Sequence, residues 1–353
     1  MAQELLDSGN LTHRGLLPAA FLVVFLTACP DDPPEGGGGS GGAGGDASGA
    51  GGEGGAQGGA GGEAPTFDCA TAPEQPLGLR VMQGPRGYHG LAIDKTGMIF
   101  GLDASNTLTR SSYEGDWSPF VPNVMAEQIA FTENGHLIMA APEGLVGITP
   151  DAQRYTINGE LYGYGLRIGP DGRGYMAEAK AIRRVNLVTG IAETVVNVPD
   201  VEDGTFAHAF DWSPSFDKLY VGMTGDSGGD VRVVALDEDL NATGPLETFV
   251  DISPDPVWID GVGTDICGNV YVAHFSTSQL FRVTPDGQAS VFVDWSIDPS
   301  QYGHGLIFGN GIGGFREDAL YLPMPYANNS VQEVIVGVPS RAWAGTAINA
   351  RTP

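Results

Sequence analysis

The sequence predicts an all-β protein, a six-bladed propeller with four antiparallel strands per blade, ahead of which lie a signal and a tether. Three observations carry this: a pattern that recurs six times, a turn after most copies, and a composition with few charged residues. Six segments align without gaps: His89-Gly-Leu-Ala-Ile-Asp, Glu127-Gln-Ile-Ala-Phe-Thr, Tyr164-Gly-Leu-Arg-Ile-Gly, His208-Ala-Phe-Asp-Trp-Ser, Asp260-Gly-Val-Gly-Thr-Asp and His304-Gly-Leu-Ile-Phe-Gly. They start 38, 37, 44, 52 and 44 residues apart. Apolar residues fill the third and fifth places, Thr264 excepted, which is the period of a strand. Tight turns such as Glu133-Asn134-Gly135 follow, and then a second strand such as Leu137-Ile138-Met139. Four short strands per repeat of about 43 residues is the blade of a propeller. A strand at Leu79-Arg80-Val81-Met82, ahead of the first repeat, is expected to complete the last blade.

The chain opens differently. Residues 16–28 are an apolar run behind Arg14, ending in Leu26-Thr27-Ala28-Cys29. About 13 residues is short for a membrane-spanning helix and suits a signal peptide. The Cys-terminated ending resembles a bacterial lipobox, which implies cleavage after residue 28, lipidation of Cys29 and an extracytoplasmic address, periplasmic or at the cell surface. Residues 30–65 hold six acids and no base, within a tract where 17 of the 54 glycines lie at 36–62. Such a segment buries too little apolar surface to offset its ordering entropy and reads as a disordered linker. The expected organisation is therefore a signal at 1–28, a linker at 30–65 and a propeller at 66–353, attached to the membrane only through its lipid.

Net charge is −26, from 17 Lys plus Arg against 43 Asp plus Glu. A surface this acidic excludes nucleic acid, whose phosphates need compensating cations. Of three cysteines, Cys69 and Cys267 remain after lipidation, and an oxidising compartment favours their pairing. Propeller topology puts both on the bottom face. Two tempting motifs fail: Gly309-Asn310-Gly311-Ile312-Gly313-Gly314 precedes a strand instead of a helix, and the calcium-like start Asp237, Asp239, Asn241 lacks the turn glycine and final Glu.

The first letter of each aligned segment falls at the top of the central channel, one per blade: His89, Glu127, Tyr164, His208, Asp260, His304. Three of the six histidines occupy these six positions. Imidazole beside carboxylate is the ordinary ligand chemistry of transition metals, so His89, Glu127, His208, Asp260 and His304 are candidate ligands of one divalent ion, Zn or another transition metal before Ca. Asp260 is a candidate base and Tyr164 a candidate oxyanion donor. One layer lower, Arg167 and Asp211 stand on neighbouring blades, as an ion pair or with Arg167 contacting substrate. Tyr162, Phe206, Trp258 and Tyr302 each precede a ring letter by two and wall a mouth suited to a small uncharged or aromatic substrate, or pack between blades. His274 reads as a solvent-facing loop residue or a neighbour of the ligands.

Residues 78–338 resemble the senescence-marker-protein/gluconolactonase/luciferin-regenerating family of propellers. The resemblance rests on the blade pattern, on Trp212-Ser213-Pro214…Lys218-Leu219-Tyr220-Val221, and on Asp260-Gly261-Val262…Cys267-Gly268-Asn269-Val270-Tyr271-Val272. It implies hydrolysis of a lactone or ester with one divalent ion at the channel top. Of the family's metal ligands, the Asp opening the fifth blade is Asp260. His89 stands for the Glu of the first blade and His208 for the Asn of the fourth, while Tyr164 replaces the substrate-binding Asn of the third. These replacements favour nitrogen-loving metals and move specificity away from sugar lactones. The expected protein is a monomeric, membrane-tethered, metal-dependent hydrolase. The alternatives are a non-catalytic module binding a protein, glycan or metal, and a His-ligated metal lyase.

Overall fold

In the computed structural model, residues 67–84, 90–199, 205–225, 230–252, 257–297, 303–327 and 330–341 are described. The proposed signal, Cys29, the linker, His89 and Tyr302 lie outside them. Six four-stranded antiparallel sheets form the ring. Blade 1 is β2 to β5 (residues 92–121), blade 2 is β6 to β9 (128–158) and blade 3 is β10 to β13 (165–197). Blade 4 is β14 to β17 (206–251) and blade 5 is β18 to β21 (259–294). Blade 6 combines β22 to β24 (307–335) with β1 (Gly78–Gln83). The expected closure is present: β1 is the outer strand of the last blade, with Leu79 opposite Val334.

The core lies between blades. Each of six apolar clusters joins two neighbours; Tyr175 and Ile182 of blade 3, for example, pack on Trp212 and Val221 of blade 4. Burial of each such side chain contributes about 1.5–3 kcal/mol, so the closed ring is the unit that is stable. Glycine at the second place of a ring segment has a packing cause. A Cβ on Gly261 would lie 2.6 Å from the Gly305 carbonyl carbon, so inner strands meet backbone to backbone near the axis.

One turn device recurs at the bottom. Asp94 Oδ1 accepts the N–H groups of Thr96 and Met98 at 2.8 and 2.9 Å, and Asp265 Oδ1 accepts those of Cys267 and Asn269, both at 2.9 Å. The calcium-like Asp237 is the same turn, bonded to the N–H groups of Asp239 and Asn241. The glycine run at 309–314 is a loop leading into β23 (Ala319–Met324).

Both ends of the described chain tie to the bottom of blade 5. Cys69 and Cys267 form a disulfide, with Cα atoms 5.5 Å apart, as their shared face led us to expect. Arg282 donates to the Pro73 carbonyl at 2.6 Å. From the other end, Ser340 bridges Asp265 and the Arg341 N–H donates to Thr264 O.

Candidate active site

The ring letters arrive on the inner strands, and two of them arrive through bulges. In β14 (Phe206–Trp212), Ala207 faces Met223 and Ala209 faces Gly222, leaving His208 as the extra residue. In β18 (Ile259–Thr264), Ile259 faces His274 and Gly261 faces Ala273, leaving Asp260 extra. The inner strands of blades 2 and 3 run in regular register. A bulge re-aims its side chain, and here both aim at one point. His208 Nε2 lies 3.9 Å from Asp260 Oδ1, and His304 Nδ1 lies 3.1 Å from Asp260 Oδ2. All three residues are buried.

Glu127 faces this cluster from blade 2. Burial first, then the Asp260 charge, raise its carboxyl above the usual carboxylate range, while His304 and a hydrogen bond with Tyr162 pull the other way. Tyr162 is pushed up to about 12, mainly by burial and next by the Glu127 charge. Burial likewise holds His208 below the usual imidazole value, against Asp260 and together with His304, which favours the neutral ring. The Tyr164 ring stacks on His208, with centroids 5.0 Å apart and planes at 19°; burial keeps its hydroxyl protonated above the ordinary range.

One residue departs from the sequence reading, the Arg167–Asp211 pair bears it out and adds to it, and three residues were missed. His274 is no solvent-facing loop residue: it ends β19 (Val270–His274), is buried, and feels the Asp260 charge. Arg167 holds backbone: it donates to Phe210 O at 2.8 Å, Val262 O at 2.5 Å and Leu306 O at 3.4 Å. Those carbonyls lie two residues beyond His208, Asp260 and His304, so one guanidinium ties the three strands beneath the cluster. The expected ion pair with Asp211 is present, at 3.7 Å from Arg167 Nε, and Asp211 has nearer partners in the Thr264 N–H and Arg341, both at 2.8 Å. Arg341 was missed because it lies beyond the last strand. Phe275 and Tyr326 were missed because they sit in turns between second and third strands; their rings lie tilted against His304, with centroids at 4.3 and 5.6 Å. Searching those turns for aromatics, since topology puts them on the same mouth, finds both.

Below Arg167 the channel holds a cavity of about 470 Å³, lined by Phe131, Ile168, Phe308, Asp211 and Arg341 among others. None of the upper ring letters lines it, and Arg167, Asp211 and Arg341 in its lining already have polar partners, so the candidate chemistry is sought above. Among the described residues, no set of three or more His, Cys, Asp or Glu side chains is arranged as a ready metal site. The donors do suit one in kind: two imidazoles flank one carboxylate, a nitrogen-and-oxygen set fitting a transition metal. His89, the fourth expected donor, lies outside the described residues.

A closed propeller carrying imidazoles and carboxylates at one end of its channel defines the class. Residues 167–298 match the family described as the SMP-30/Gluconolactonase/LRE-like region, so the family resemblance read from the sequence holds over that stretch. No curated protein matches the chain by sequence. The gluconolactonase of Xanthomonas campestris is similar over 77% of this chain and 94% of its own, at 13% identity and TM-score 0.60. Regucalcin of Agrobacterium tumefaciens, a calcium-binding protein, is similar over 76% and 93%, at 16% identity and TM-score 0.56. Virginiamycin B lyase of Staphylococcus aureus is similar over 73% and 99%, at 13% identity and TM-score 0.52. At such identities the likeness is one of fold.

Proposed function

We propose that this protein hydrolyses a lactone or ester at the top of its channel, as an extracytoplasmic lipoprotein anchored through Cys29. The observation that carries the reaction is the convergence of His208 and His304 on the two oxygens of Asp260, at 3.9 and 3.1 Å, in buried surroundings. The match to a gluconolactonase-containing family supports the reaction class.

In the hydrolysis, the oxygen of water bonds the acyl carbon, the C–O bond to the leaving oxygen breaks, and a proton passes from water to that oxygen. Asp260, set between the two imidazoles, is suited to accept the proton of the attacking water, while burial keeps the His208 ring neutral, with a lone pair free to bind an ion. Asp260 also fixes the orientation of both imidazoles. Tyr164, protonated and stacked on His208, is placed to donate to the developing oxyanion. His208, Asp260 and His304 would hold a divalent ion, with Glu127 and His89 as further donors; bound there, such an ion supplies a water of lowered pKa and polarises the acyl carbonyl.

Purified protein assayed on small lactones and aryl esters, with its metal content measured alongside, tests this. We expect chelator-sensitive turnover that falls at least ~100-fold in Asp260→Ala, of the order seen when a charged catalytic group is removed. Folded, metal-replete protein that turns over none of these substrates would overturn the reaction. For the anchor, Cys29→Ser should release the protein from the membrane fraction; retention there counts against lipidation.

A further inference from the structure

Two aromatic walls stand over the cluster, and we propose that they select a flat, uncharged aromatic substrate, an aryl ester or benzo-fused lactone, for the hydrolysis proposed above, on which this inference rests. One wall runs over blades 3 and 4. Tyr162 meets Tyr164 at 5.7 Å and Tyr164 meets Phe206 at 5.0 Å. The other runs over blades 5 and 6. Trp258 lies nearly parallel to Phe275, at 5.8 Å and 16°, and Phe275 meets Tyr326 at 6.5 Å. Each wall reaches the cluster through a ring contact, Tyr164 with His208 and Phe275 with His304.

The distribution of exposure points to a ligand. His208, Asp260 and His304 are buried, whereas Tyr162, Trp258 and Tyr326 are 45, 42 and 50% exposed. Scattered exposed aromatics need no explanation, but three that are each joined through ring contacts to a buried site histidine form two apolar walls beside the cluster. A flat ring entering between the walls gains offset-stacked or edge contacts of about 0.5–1.5 kcal/mol each, beyond the area it buries.

Charge narrows the class further. Blade 2 lies opposite blade 5 in a six-membered ring, so the Glu127 and Asp260 side chains stand on opposite sides of the channel, in a protein whose net charge is −26. An anionic aryl compound is therefore disfavoured. The acyl group that reacts must reach down to the buried cluster while its ring stays level with Tyr162, Trp258 and Tyr326. An aryl ester or a lactone fused to a benzene ring has that shape.

The test pairs turnover with binding. Hydrolysis of dihydrocoumarin is compared with that of γ-valerolactone, and the ketone α-tetralone, which has no ester bond to cleave, is titrated by calorimetry and by Trp258 fluorescence. We expect kcat/KM to favour dihydrocoumarin at least ~30-fold. Trp258→Ala and Tyr326→Ala should each erode that preference about tenfold, mainly through KM for the aromatic substrate, and should weaken α-tetralone binding in parallel. Binding of α-tetralone without turnover of either lactone would leave the aromatic selection standing and overturn the hydrolase reading. Equal turnover of both lactones with equal losses in both variants, or no α-tetralone binding by folded protein, would overturn the selection.

Discussion

The upper and lower halves of one channel are built on opposite principles. Above Arg167, carboxylates and imidazoles crowd together: Glu127 is held above its usual range by burial and by Asp260, and His208 is held below its own by burial. Below, charges are satisfied. Asp211 binds Arg341 and the Thr264 N–H, Arg167 binds three carbonyls, and Asp265 takes two backbone N–H groups and the Asn269 amide. The difference teaches where each half places its interactions: the lower half gives its buried charges fixed partners that hold the ring closed, and the upper half sets carboxylates and imidazoles facing one another.

Variants of the lower half should cost stability first. Removing the disulfide that closes a separation of 198 residues, as Cys69→Ser with Cys267→Ser, is expected to cost about 3–5 kcal/mol, seen as a lower midpoint in denaturant. Turnover per folded molecule should stay close to that of the parent; a parallel loss of turnover would break the division between halves. Arg167→Met leaves three carbonyls without their donor and should cost about 2–3 kcal/mol. Because those carbonyls sit beneath His208, Asp260 and His304, kcat should also fall in this variant, making Arg167 the hinge of the comparison. Gly261→Ala, in the upper layer beside Asp260, forces a Cβ to 2.6 Å from the Gly305 carbonyl carbon and should cost about 1–3 kcal/mol.

The smallest effects are pH dependences of opposite sign. Asp217, lowered by hydrogen bonds from Ser215 and then Ser213, contributes stability that is present above the ordinary carboxylate pKa and lost as pH falls through its lowered value. Glu127 is raised, so the folded state binds its proton more tightly and loses stability as pH rises from the ordinary carboxylate value through the raised one. Asp217→Asn should therefore destabilise at neutral pH and Glu127→Gln should stabilise there, with both differences shrinking in acid. Urea midpoints measured across pH check the signs; the same sign for both would erase the contrast.

Much of this was legible in the sequence, for a physical reason. Strand periodicity repeated six times fixes inner-strand register, and register alone put Glu127, Tyr164, His208, Asp260 and His304 around one channel. The same topology brought Cys69 and Cys267 to one face. What escaped depends on tertiary contact. Nothing local marks His208 and Asp260 as bulged residues; the bulges follow from how β14 and β18 pair with their second strands. Arg167 sits at a strand position, but its three acceptors come from three other blades. Arg341 acts from outside the repeat, and Phe275 and Tyr326 from hairpin turns that periodicity leaves unread.

The central claim is that the buried groups of the upper channel serve chemistry at a cost in stability. Asp260→Asn tests it most directly, with dihydrocoumarin turnover and the denaturant midpoint measured on one preparation. We predict a kcat/KM at least ~100-fold lower beside an unchanged or raised midpoint, since a buried charge that repels Glu127 has been removed. Retained turnover, or a midpoint that falls together with turnover, would contradict it.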